Sequence, residues 1–139
     1  MTLGVYLIVA DEFERFKIGY SSDVESRFSQ IQTGCPTLCR LHDVLVDAGF
    51  QTEAVIHALL LDHHVIGEWF CINGLEKAER HFDVFRTSTN NVAEMIAEHV
   101  PGEWWDAIKA NLYASGASGI ANELTNITGQ SVMDRRYGR

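Results

Sequence analysis

The chain is poor in several things. Of its 139 residues only three are cysteine (Cys35, Cys39 and Cys71) and only two are proline. An odd, sparse cysteine set excludes a disulfide scaffold. Cys35 and Cys39 are four apart with His42 close by, but no second Cys/His pair stands at finger spacing, so the thiols read as reduced and half-buried. Positive charge is scarce too: 11 Lys/Arg against 19 Asp/Glu, a net charge of −8. That excludes a wholly basic nucleic-acid coat and leaves room for a local cationic site. Long hydrophobic runs are missing. The apolar start GVYLIVA meets DEFER at once, without a basic leader or small-residue cleavage signal. It reads as a buried strand of a cytoplasmic protein with no membrane partner.

Apolar residues make up 46% of the chain and charged ones 22%, enough for a core under an ordinary surface. Charge is uneven. Residues 1–100 carry 7 Lys/Arg against 15 Asp/Glu, whereas residues 101–139 carry 4 of each and end in the basic MDRRYGR. The length suits a main domain over 1–100 and a helical extension over 101–139.

Gly4 to Ala10 and Phe16 to Tyr20 flank a short polar turn and predict an antiparallel hairpin. Ser22 and Asp23 offer N-cap chemistry, and Val24, Phe28 and Ile31 share a helical face with Arg27 beside it. Leu38 to Val46 is a third strand. Thr52 is the expected cap of a second helix that carries Glu53 and His57 one turn apart. A turn at Gly67 leads to a short strand through Trp69 to Ile72, and helices follow. The fold class is α+β: a small, mostly antiparallel three-stranded sheet flanked by helices. In the C-terminal segment Leu124, Ile127, Gly129 and Val132 suggest a helix-turn-helix-like unit, with Arg135 and Arg136 available to DNA.

The motifs form an ordered set. GVY (Gly4–Tyr6) is followed after ten residues by KIG (Lys17–Gly19), then by Arg27 on a helix and Glu53 on a later one. Strings of the form KIGYS-x-D-x-x-x-R, QTG-x-P, E-x-x-x-H and GEWF occupy Lys17–Arg27, Gln32–Pro36, Glu53–His57 and Gly67–Phe70. The pattern resembles the GIY-YIG nuclease superfamily, in particular a phage- and bacteria-associated branch, over about residues 3 to 73. The resemblance implies a metal-dependent DNA endonuclease. Glu53 would hold Mg²⁺ or Mn²⁺. Arg27 would clamp the phosphate, and Tyr6 would orient or deprotonate the water. Lys17 would face the same phosphate and help the tyrosine. His57 would assist, and Arg40 would join Lys17, Arg27, Arg135 and Arg136 on DNA. Lysine replaces the tyrosine of YIG. Tyr20 points to the other strand face and does not substitute for it.

Two other classes stay open. One is the same fold with weak or lost catalysis, binding DNA or a protein partner. The other is a phage-encoded inhibitor that mimics DNA, which the scattered acids disfavour. Cutting both strands with one small site would call for a homodimer or two binding events.

Overall fold

A computed structural model describes residues 1–87, 92–99, 102–114 and 118–136. The chain divides into two compact units, Met1–Thr87 and Ser88–Arg139.

The first unit is built on an antiparallel sheet. β1 (Gly4–Ala10) lies between β2 (Arg15–Ser21) and β3 (Arg40–Val46). β4 (His64–Ile66) and β5 (Trp69–Cys71) extend it, giving the order β3-β1-β2-β5-β4. The α+β class is as the sequence predicts, but the sheet has five strands, not three. The added pair is a hairpin of three-residue strands closed at Gly67, whose φ of +55° suits glycine. β4 is exposed along its length, so no burial pattern marks it in the sequence.

α1 (Val24–Gly34) starts where expected, with the Asp23 carboxylate accepting from the Ser26 N–H at 3.2 Å. α2 (Phe50–Leu59) starts two residues before the expected cap. Gly49 is its N-cap in extended backbone, and Thr52 lies inside the helix. α3 (Leu75–Thr87) completes the unit.

Strand alternation sorts the two faces. Val5, Leu7, Val9, Phe16 and Ile18 pack with Ile56 and Leu60 from α2 and its end, and with Ala78 and Phe82 from α3. Tyr6, Ile8 and Ala10 face the other way, toward Val24, Phe28 and Ile31 of α1. Helices thus cover both faces of β1, which is buried at every position. Phe70 joins β5 to the first core. Its ring stacks on Phe16 (5.3 Å between centroids) and takes the His57 imidazole edge-on at 4.9 Å.

In the second unit α6 (Ser118–Arg136) packs on α4 (Val92–His99) and α5 (Trp105–Ala114) around Ile96, Ile108, Leu112 and Leu124. α6 runs unbroken through Gly129, where a helix-turn-helix needs its turn. One glycine costs a helix about 1 kcal/mol, too little to break it. Among the described residues no helix is long and apolar enough to cross a membrane.

Replacing Phe70 with alanine should cost about 3–5 kcal/mol, because the ring is fully buried and supports both Phe16 and His57. Urea unfolding of the variant against the parent checks this.

Candidate active site

Antiparallel register sets Tyr6 opposite Gly19 and Ile8 opposite Lys17. Tyr6, Lys17 and Gly19 therefore project on the α1 face of the sheet. The glycine is required there. A Cβ on Gly19 would lie 2.5 Å from the Tyr6 ring carbon that bears the hydroxyl, and 2.9 Å from Glu68 Oε1. The absent side chain lets the phenol and the Glu68 carboxylate meet over the strand.

Arg27, at the fourth position of α1, lies beside the Tyr6 oxygen. Burial and the charge of Glu68 push the phenol above its ordinary pKa, and the Arg27 guanidinium pulls against them. The cation at Tyr6 is thus Arg27. Lys17 Nζ instead pairs with Glu68 Oε1 at 3.0 Å and stands 5.3 Å from the centre of the Trp69 ring. Lys17 and Trp69 are register partners, so this cluster follows from β2–β5 pairing.

That pairing stops at Lys17–Trp69. Beyond it the outer edge of β2 has no strand neighbour. The Ile18 N–H donates to the Glu68 carbonyl at 3.1 Å. His57 Nε2 donates to the Ile18 carbonyl at 2.8 Å, and the Glu53 carboxyl group lies near the Tyr20 N–H. The E-x-x-x-H spacing places both side chains along this edge, one helical turn apart, with 3.7 Å between His57 Nε2 and Glu53 Oε1. Burial holds His57 below its ordinary pKa, so the ring is neutral at neutral pH. Its Nε2 is committed to the backbone, and its ring packs on Phe70, not on Trp69.

Glu53 passes this edge to lie beside Glu68. Burial and the neighbouring Glu68 carboxylate raise the Glu53 pKa to about 7. Among the described residues no group of three or more His, Cys, Asp or Glu gathers as a metal site. Mg²⁺ needs less, since one or two carboxylates and several waters suffice. The Glu53–Glu68 pair fits that demand.

The other candidate residues lie apart. Arg40 is engaged by Asp11 at 2.9 Å and by His42 at 2.6 Å. His42 also meets Glu79 at 2.9 Å, away from the Cys35–Cys39 pair, where burial and the neighbouring thiol push Cys39 up to about 11. Arg135 and Arg136 end α6, and their side chains lie outside the described residues. Glu68, within the GEWF string, bridges Lys17 and Glu53. Sequence reasoning passed over one residue that belongs here. Arg15, two positions before Lys17 on β2, lines the same groove as Lys17 and Arg27. Its i, i+2 spacing from Lys17 was the available signal.

Residues 4–98 match the T5orf172 domain, more than half of the chain and every element of the first unit. The chain belongs to the T5orf172 domain family. No curated protein and no solved structure matches it. The T5orf172 domain is phage-associated and linked to nucleases of the GIY-YIG and HNH kinds. At that level the chain is a nuclease-like or DNA-acting module. The T5orf172 match extends through most of α4, whereas the first compact unit closes at Thr87.

Two outcomes follow from this T5orf172 site. Gly19→Ala should lose about 1–3 kcal/mol by overpacking against Tyr6, read by chemical denaturation. The second concerns pH. Folded Glu53 titrates near 7 and an unperturbed glutamate near 4.5, so between them only the native state keeps the proton. Stability without metal should therefore fall as pH rises from about 4.5 to about 7, and Glu53→Gln should flatten that slope. Melting temperatures across this range in EDTA measure it.

Proposed function

We propose that this T5orf172 domain is a metal-dependent DNA endonuclease with a GIY-YIG-type site. One observation carries the reading: Tyr6, Lys17, Arg27, Glu53 and Glu68, from five separate segments, interact in one cluster, with Tyr6 and Glu68 meeting over the bare backbone of Gly19. Phosphodiester hydrolysis needs a clamp for the phosphate charge, an oriented water and a stabilised leaving oxygen.

Arg27 supplies the clamp. Its guanidinium is planar, permanently charged and able to take two phosphate oxygens at once. Tyr6, held above its ordinary pKa, stays a phenol at neutral pH and orients the water through its hydroxyl. Lys17 adds positive charge at the same place, fixed by Glu68 and Trp69. Glu53 would hold the divalent ion, Mg²⁺ or Mn²⁺, with Glu68 as the second carboxylate. When bound, that ion supplies Lewis-acid stabilisation of the phosphate. His57 acts as a positioning residue. It ties α2 to β2 and so sets where Glu53 reaches.

The test is cleavage of supercoiled plasmid, branched DNA and single-stranded DNA with Mg²⁺ or Mn²⁺ against EDTA. Arg27→Ala and Glu53→Ala should each lower the rate at least ~100-fold with the melting profile still cooperative. Full activity in either variant would sink the site assignment. No cutting of any substrate by the parent would favour the binding-module reading, which the lysine in the YIG position already supports.

A further inference from the structure

Lysines and arginines are few here, and most are spoken for. Lys17, Arg40, Lys77, Arg80, Arg86 and Lys109 each lie within 4.0 Å of a carboxylate oxygen. Among the described residues Arg15 and Arg27 alone have no ion-pair partner. Arg15 Nη1 bonds only carbonyl oxygens of its own turn, those of Glu14 at 3.1 Å and Phe13 at 3.4 Å. Arg27 Nη1 bonds the Gln30 amide oxygen at 3.3 Å.

Both unpaired guanidinium groups line one groove, of about 470 Å³. Its floor is the β2–β5 half of the sheet, with Lys17 and Trp69. One wall is the α1 stripe containing Arg27 and Ile31, and Phe13 stands at the rim, 49% exposed. No described carboxylate lines it. In a chain of net charge −8, three cations share this groove with two aromatic rings.

We propose that the groove holds one unpaired nucleotide of a DNA strand, with the phosphate to be cut on Arg27, the nucleotide's other phosphate on Arg15 and its base against Phe13 and Trp69. Charge complementarity selects an anion, since a neutral or cationic ligand would leave the two unpaired guanidinium charges of Arg15 and Arg27 unmet. The rings select a flat apolar partner, which a strand offers only where its base is out of the duplex stack. Size agrees. The volume falls in the ~300–1,000 Å³ range of small-ligand sites, room for a nucleotide but not for a double helix. The substrate class is therefore DNA with an unpaired nucleotide at the cut: an overhang, flap or branch. The inference rests on the nuclease reading only for the position of the scissile phosphate.

The experiment is fluorescence anisotropy with full-length Glu53→Gln chain in EDTA. The probes are a labelled DNA single strand, the same strand with a duplex and an overhang, a blunt duplex, and the matching RNA strand. Single-stranded and overhang DNA should bind about tenfold tighter than the blunt duplex. Phe13→Ala should weaken single-strand binding about tenfold and leave duplex binding within about twofold. Arg15→Gln should reduce the single-strand salt slope by about 0.7. Equal affinity for blunt duplex and single strand overturns the proposal, as does an equal loss on both in Phe13→Ala. Tighter binding of RNA than DNA also overturns it. The Phe13 ring is exposed, so this variant keeps the test decisive if Arg15→Gln fails to fold. Binding is read without metal, which separates the two readings. Groove binding without cleavage in the parent sinks the nuclease alone, and cleavage that prefers blunt duplex sinks the occupant alone.

Discussion

The site depends on a sheet edge that is left unfinished. β5 accompanies β2 only as far as Lys17, yet β2 continues to Ser21. Buried backbone groups left unpaired there would cost about 1–3 kcal/mol each. At Ile18 they are satisfied instead by the Glu68 carbonyl and the His57 imidazole, with the Glu53 carboxyl group near the Tyr20 N–H. A fourth long strand along this edge would satisfy the same groups and would exclude α2's side chains from the α1 face. The gap is what lets a carboxylate from the layer behind the sheet act on a tyrosine in front of it.

This constraint turns separate sequence strings into one object. The lysine of KIG needs the glutamate and tryptophan of GEWF, which hold its ammonium from two sides. The phenylalanine of GEWF carries the histidine of E-x-x-x-H. That histidine returns to the backbone of KIG at Ile18. Each residue has a local excuse when read alone: a strand end, a turn acid, a helix face. Their spacings make sense only around the β2 edge.

How much of this was legible followed the range of the interactions. The β1–β2 hairpin, the Asp23 cap and α1 rest on short-range patterns, and residues 4 to 34 fold as those patterns indicate. Tyr6, Lys17, Arg27 and Glu53 could be singled out because their spacings repeat a known arrangement. The glutamate of GEWF reads as a carboxylate that pairs with a cation, but which cation it meets is set by the Lys17–Trp69 register across 52 positions of chain. β4 was missed because an exposed three-residue strand carries no period. The turn expected at Gly129 failed for the opposite reason: a glycine is a strong signal in isolation, yet its cost of about 1 kcal/mol does not break the helix.

The two signs of charge in the site come from different parts of the chain. Tyr6, Lys17 and Arg27 belong to the opening hairpin and first helix, whereas Glu53 and Glu68 arrive with α2 and the last hairpin. The first group can assemble from local contacts, and the second requires loop closure over a long stretch of chain. A nascent or partly melted molecule therefore holds a cationic surface without its carboxylates. Such a molecule could hold a polyanion but lacks the acidic half of the site. The proposed hydrolysis would thus wait for cooperative closure of the sheet, which would make the fold its own safety catch.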